Sequence, residues 1–358
     1  MTGNAYLVLL IAEQGIVNSH FSDALTNVSD IELVVCNTGA DGTAIVRKRD
    51  VDVVILDIGS EKENTLPVLR RILKIDADAK VIMASTLNFS NVRQGMKGFE
   101  QGAVDLVNTP ASYTQKSDEV EFTQDIRRMV RSLSEARRSD TLNSVRAPHL
   151  RESSTDDNIV LRPASNVIPE VLAIGSSTGG PQALTSVLNG IACNFRIPIF
   201  VTQHMPKGFT GPLAKSLANF TGKTVVEAED GMLVSSDCVY IAPGDFHMTI
   251  GGTRTKQIIS LNQEPKINFC RPSVDPMIES IVSIFHANTL LLILTGMGSD
   301  GTEGAKLVAK ENGTVIAQDS SSSVVWGMPG SVAKAGLCSH VLPIDEIPAT
   351  INRLVAPV

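Results

Sequence analysis

Val171-Leu172-Ala173-Ile174-Gly175-Ser176-Ser177-Thr178-Gly179-Gly180-Pro181 is the stretch on which the reading of this chain turns. Its first four residues form a short apolar run, the pattern of a strand buried on both faces. The glycines let the backbone turn tightly. Pro181 suits the first turn of a helix, where its missing N–H is not needed. Strand, tight turn and helix in succession are the unit of a parallel α/β sheet. The stretch also fits G-x-S-x-G with Ser177 at the centre, an arrangement that lifts a hydroxyl above a sheet. Backbone N–H groups at the helix start can then stabilise an oxyanion or hold a phosphate. An anion-binding loop and a plain turn fit the same residues.

Two more polar residues follow apolar runs in the same way. His204 comes just after Ile197–Val201, in Thr202-Gln203-His204-Met205-Pro206. Ligands of α/β sheets bind at that end of the strands, and a histidine is the usual base for a serine nucleophile. His20, His149, His247, His286 and His340 lack so clear a strand-end context, and His247 is the main rival. Asp300 follows Leu290–Leu294, in Thr295-Gly296-Met297-Gly298-Ser299-Asp300-Gly301. It can orient the histidine, or cap a helix starting near Thr302. Gly296, Gly298 and Gly301 also match G-x-G-x-x-G, with Asp319 further on. That makes a dinucleotide-binding oxidoreductase a competing reading. Against it, a carboxylate at position 300 repels a pyrophosphate.

The first third of the chain repeats the alternation. Leu7–Ile11, Ile31–Val35, Val53–Leu56, Val81–Met83 and Val104–Val107 read as buried strands, separated by helical stretches. Five such units imply a doubly wound sheet. Phe122–Arg138 reads as a helix with one apolar face, closing the domain, its Arg127, Arg128, Arg131, Arg137 and Arg138 in solvent. Residues 139–166 are polar and aperiodic and read as a linker. From Val167 the alternation returns. The expected layout is 1–138 for one α/β domain, 139–166 for the linker, and 167–358 for a second, mostly parallel α/β domain.

Composition narrows the field. The 358 residues are 43% hydrophobic and 19% charged, a globular mixture. The net charge of −7 ranks nucleic-acid binding low. Cys36, Cys193, Cys238, Cys270 and Cys338 are scattered, with no C-x-x-C pair, which suits a reducing cytoplasm rather than a zinc ribbon or disulfide framework. No apolar run reaches the ~18 residues of a membrane span, so no membrane insertion is expected. Leu7–Ala12 lacks the basic flank of a signal peptide.

The second domain resembles the bacterial chemotaxis receptor methylesterases, the CheB family of protein-glutamate methylesterase/glutaminases. The resemblance rests on Ile174–Gly180, Thr202–Pro206, Ala242–Asp245, Arg271–Asp275, Thr295–Gly301 and Gly327–Pro329. It implies Ser177 as nucleophile, His204 as base and Asp300 as its orienter, with Thr178 and the Met297 N–H at the oxyanion. It implies hydrolysis of glutamyl methyl esters, and deamidation of glutamines, on methyl-accepting chemoreceptors. The esterase is expected to need no cofactor. Cys270 stands where the family pattern has His before Arg271.

The first domain resembles the flavodoxin-like response-regulator receiver that precedes the esterase in this family. The resemblance makes Asp57 the candidate phosphoacceptor, Ser85 the switch hydroxyl and a sensor histidine kinase a partner. The two acidic residues that hold Mg²⁺ in receivers align with Ala12 and Glu13, and the usual lysine aligns with Thr109. Gly59-Ser60-Glu61-Lys62-Glu63 replaces the usual words after the phosphoacceptor. The expectation is a degenerate receiver that holds Mg²⁺ poorly. Besides the esterase and the oxidoreductase, a non-catalytic regulatory or binding protein retaining the esterase fold stays open.

Overall fold

Uninterrupted runs of Val, Ile and Leu become the inner strands of two parallel sheets, because helices cover both faces of each. The computed structural model describes residues 5–59, 65–86, 89–113, 115–145 and 159–355. The chain forms two units, Met1–Arg151 and Glu152–Val358.

In the first unit β1 (Tyr6–Ile11), β2 (Ile31–Cys36), β3 (Val53–Asp57), β4 (Lys80–Ser85) and β5 (Asp105–Asn108) alternate with five helices. These are α1 (Ile16–Leu25), α2 (Gly39–Val46), α3 (Thr65–Ile75), α4 (Phe89–Glu100) and α5 (Lys116–Val145). The order β2-β1-β3-β4-β5, parallel throughout, is the flavodoxin-like one. Register pairs Ile11 with Leu56, so Ala12, Glu13 and Asp57 share one crevice at the switch point.

Helix α5 corrects two expectations. Only Arg128, paired with Asp125 of the same helix, keeps to the solvated face expected of its arginines. Arg131 forks onto Asp30, Arg137 onto Asp76 and Arg138 onto Asp52, tying the helix to its own sheet. It also continues to Val145, into the expected linker, since neither Gly nor Pro interrupts the chain before Pro148. Of that linker, 146–158 lies outside the described residues. Its last part is fastened to the second unit. The Arg162 N–H donates to the Cys338 carbonyl at 2.8 Å, and its guanidinium to the Ala309 carbonyl at 2.8 Å.

The second unit holds β6 (Val171–Ser176), α6 (Gly180–Gly190), β7 (Ile199–Gln203), α7 (Thr210–Thr221), β8 (Thr224–Glu227) and β9 (Cys238–Ile241). A hairpin follows, β10 (His247–Thr253) and β11 (Lys256–Asn262), then α8 (Val274–Phe285). The chain ends in β12 (Thr289–Ile293), α9 (Thr302–Lys310), β13 (Thr314–Gln318), α10 (Met328–Lys334), β14 (His340–Leu342) and α11 (Ile347–Val355). The seven-stranded parallel sheet runs β14-β13-β12-β6-β7-β9-β8. From β6 the chain winds outward through β7 and then returns to the other side at β12. The switch point therefore lies at the β6/β12 ends, where a doubly wound sheet opens its crevice. Helix α8 buries Val274, Met277, Ile278, Ile281, Val282 and Phe285, a stripe at helical spacing packed into the core.

Candidate active site

The three strand ends singled out in the sequence are neighbours. Gly175 pairs with Thr202 and Ser176 with Gln203, so Ser177 and His204 leave adjacent strands at the same level. Neighbouring strands lie about 5 Å apart. On the other side the Ser177 N–H donates to the Thr295 carbonyl at 3.0 Å. Residues 177–180 form a turn closed by Gly180 N–H to Ser177 carbonyl at 2.7 Å. Gly179, at φ 76° and ψ −2°, takes the left-handed position such a turn reserves for glycine. Helix α6 begins there with Pro181 in its first turn, so Ser177 and Thr178 stand at a helix N-terminus, favourable to negative charge.

The word's two serines differ. Ser176 is buried, and its hydroxyl donates to Gln203 Oε1 at 2.7 Å. Ser177 is partly exposed, and its hydroxyl makes no hydrogen bond among the described residues.

His204 Nε2 lies 2.7 Å from Asp300 Oδ2, and Nδ1 lies 3.4 Å from the Cys270 sulfur. Both ring nitrogens are thus engaged, neither by Ser177. Asp300 is buried and does not cap α9, whose start makes no side-chain cap bond. It accepts instead from the Val274 N–H at 2.7 Å, the Ser273 hydroxyl at 2.7 Å, the Asn268 amide at 3.1 Å and the Gly301 N–H at 3.0 Å. Burial alone would raise its pKa, but His204 and these donors hold it below the usual carboxylate range. For His204, burial works to lower the pKa. The Cys270 sulfur and the Asp300 carboxylate outweigh it and push the imidazole up to about 10.

The loops around this row explain words that carried no role. Arg271 forks onto Asp245 Oδ1 at 3.1 and 2.6 Å, joining Ala242–Asp245 to Arg271–Asp275. Gly327 and Met328 donate to the Gly296 carbonyl at 3.1 and 2.8 Å, propping the 296–298 loop that carries the Met297 N–H. The Thr295 hydroxyl donates to the Thr178 carbonyl at 2.9 Å. A Cβ at Gly296 would come within 2.7 Å of Ser177 Cβ, so its glycine serves close packing against the serine. His247, the rival histidine, is buried with Nδ1 accepting from the Ser273 N–H at 3.2 Å and Nε2 donating to the Pro265 carbonyl at 3.1 Å. It is structural. Sequence reasoning missed Asn268, Cys270 and Ser273 as partners of the row. The signal was the run leading into α8, whose Ser273 hydroxyl and Val274 N–H face Asp300.

Residues 172–351 match the family model for the CheB methylesterase. The chain belongs to the CheB methylesterase family. Over 98% of its length it is 39% identical to a protein of Paramagnetospirillum magneticum named protein-glutamate methylesterase/protein-glutamine glutaminase 1, covering 96% of that protein. A relative of the same name without the final numeral, from Azospirillum brasilense, is 38% identical over 99% of this chain and 94% of its own. The crystal structure of the Thermotoga maritima CheB methylesterase catalytic domain aligns at a TM-score of 0.51 and 45% identity, covering 52% of this chain and 100% of that domain. Family membership displaces the oxidoreductase reading of the 296–301 loop.

The crevice of the first unit is sparser. Asp57 Oδ1 accepts the Gly59 N–H at 2.8 Å. Burial raises its pKa, and nearby Glu13 adds to the rise. The Ser85 hydroxyl is buried and donates to the Thr86 carbonyl at 3.0 Å. Thr109 is buried with its hydroxyl unpartnered. Of the replaced words after the phosphoacceptor, 60–63 lies outside the described residues. Mg²⁺ demands near-octahedral oxygen donors. Glu13 and Asp57 supply two carboxylates, through which Mg²⁺ would be held with water completing its shell, and Ala12 presents a methyl where the receiver pattern carries a further acid. Among the described residues no group of three His, Cys, Asp or Glu is placed to hold a metal, and no helix is long and apolar enough to cross a membrane.

Proposed function

We propose that this chain hydrolyses glutamyl methyl esters, and deamidates glutamines, on methyl-accepting chemoreceptors in the cytoplasm. Ser177 is the nucleophile, His204 its base and Asp300 the orienter. The observation that carries this is the 2.7 Å contact between His204 Nε2 and Asp300, one strand away from an unengaged Ser177 hydroxyl. With Nε2–H donated to Asp300, Nδ1, beside the Cys270 sulfur, is the nitrogen that takes the Ser177 proton. The serine oxygen then attacks the glutamyl carbonyl. The Thr178 and Met297 N–H groups and the α6 N-terminus stabilise the oxyanion. His204 returns the proton to the leaving methoxide or amide, so methanol or ammonia departs from an acyl-enzyme. Water, deprotonated by the same nitrogen, releases the glutamate. The reaction draws on side chains and backbone alone.

The first unit, expected at 1–138 and extended by α5 to Val145, is read as a receiver-like regulatory domain with Asp57 as candidate phosphoacceptor, and a sensor histidine kinase as the partner such a domain would have. The test of the whole reading is methanol release from receptor membranes carrying labelled methyl groups. The full chain should release it and Ser177→Ala should not. Release by Ser177→Ala at the full rate would sink the assignment.

A further inference from the structure

Cys270 is a nucleophile that the ester mechanism does not use, yet it sits on the nitrogen that mechanism needs. Its sulfur is 3.4 Å from His204 Nδ1, and the opposite nitrogen is on Asp300. Cys270, His204 and Asp300 thus form a row of nucleophile, base and orienter, the arrangement that activates a thiol. The row is rigid. Ile267 and Cys270 exchange backbone hydrogen bonds at 3.1 and 2.8 Å across a two-residue turn. Asn268 and Phe269 hold that turn at φ 52° and 65°, a left-handed conformation costly for phenylalanine. The Asn268 amide ties the turn to Asp300 and to Asp275, each at 3.1 Å. Cys270 remains partly exposed, whereas Cys36, Cys238 and Cys338 are buried.

We propose that Cys270 is a reactive thiol whose modification by a hydroperoxide or soft electrophile switches the esterase off. His204 Nδ1 takes the thiol proton and the sulfur attacks one peroxide oxygen. The O–O bond breaks, an S–OH bond forms, and the proton held by His204 leaves with the other oxygen as water or alcohol. Sulfur is oxidised by two electrons and the peroxide reduced by two. The sulfenic acid, or an alkyl group delivered with loss of halide, then occupies the Nδ1 side of His204. Ser177 loses its base. The loss of activity rests on the ester-hydrolase reading above, but the reactivity of the thiol does not.

The test uses the full chain. Native protein is treated with limiting hydrogen peroxide and trapped with dimedone, or treated with iodoacetamide, and every cysteine is followed by peptide mass while methanol release is measured. Cys193 is the internal comparison, being the more exposed thiol and lying near Lys223. Cys270 should react first, at least about tenfold faster than Cys193, as base assistance allows. Methanol release should fall in step with its modification. Cys270→Ser should keep its own starting activity through the same exposure, and His204→Ala should slow alkylation of Cys270 by about the same factor. Equal rates at Cys193 and Cys270, an unchanged Cys270 rate in His204→Ala, or full activity in Cys270-modified protein would each overturn the proposal. Untreated protein that releases no methanol would fail the esterase reading alone, because the alkylation rates still test the thiol.

Discussion

Asp57 and Asp300 lie at the crevices of two parallel sheets, and their surroundings shift their pKa values in opposite directions. Asp57 closes β3, whereas Asp300 lies in the loop between β12 and α9, each beside a switch point. Asp300 receives His204, Ser273, Asn268 and the N–H groups of Val274 and Gly301. Its pKa falls despite burial. Asp57 receives the Gly59 N–H and faces Glu13, and its pKa rises. A strand end therefore gives a carboxylate access to a crevice, while its partners decide which way its pKa moves. Thr109, which aligns with the receiver lysine, carries a buried hydroxyl without a partner among the described residues.

The comparison breaks most sharply at the serines. Ser177→Ala should lower methanol release by about a million-fold, the scale seen when a triad nucleophile is lost. Adding His204→Ala should cost nothing more, since the groups act as one unit. Ser176→Ala leaves Gln203 Oε1 without its donor, so it should cost about 1–3 kcal/mol of stability in denaturant titration and little rate. A dead Ser176→Ala beside an active Ser177→Ala would shift the register by one residue. Asp300→Asn comes next, at about ten-thousand-fold, because the neutral amide no longer stabilises an imidazolium. Additive losses in Ser177/His204 double variants would dissolve the unit.

Asp57 supplies the opposite arm. With acetyl phosphate and Mg²⁺, intact mass should show sub-stoichiometric labelling, equal to that of Asp57→Asn. A transferring phosphoryl group needs cations to neutralise its charge, and Ala12 and Thr109 remove two of their supports. Stoichiometric labelling that depends on Asp57 would make the two carboxylates functionally alike after all.

Much of this contrast was legible in the sequence, because buried parallel strands announce themselves as apolar runs and the polar residue after each run is exposed to the crevice. Ser177, His204 and Asp300 stand out that way, and Asp57 through the receiver resemblance. The partners of Asp300 and His204 were not, since Asn268 and Ser273, which bond Asp300, and Cys270, which meets His204, arrive from a turn and a helix start whose position depends on α8 packing across the sheet. The fate of the α5 arginines was hidden for the same reason. Asp30, Asp52 and Asp76 are distant in sequence and become their partners only through the fold.

The smallest expected effect is the most diagnostic of the row as a whole. His204 accepts a proton from Ser177 only when Nδ1 is bare, so the ester rate follows the unprotonated fraction. The groups facing the ring are Cys270 from the 267–270 turn and Asp300 from the loop before α9, with Asp275 of α8 reached through Asn268. Burial lowers the His204 pKa, while Cys270 and Asp300 carry it up to about 10. Below that value the ring is mostly imidazolium, and the rate should climb with pH well past neutrality. Asp275, raised to about 7 by burial and by Asp300, ionises on the way up, next to Asn268 rather than the ring. Cys270→Ser removes one of the two influences that raise the ring, leaving burial to pull it down. Its kcat/KM profile should inflect at lower pH, and an inflection lower by about one pH unit raises the rate at neutral pH about tenfold. Superimposed profiles for the two proteins would mean that the sulfur does not govern the base, and that Asp300 alone sets the charge of His204.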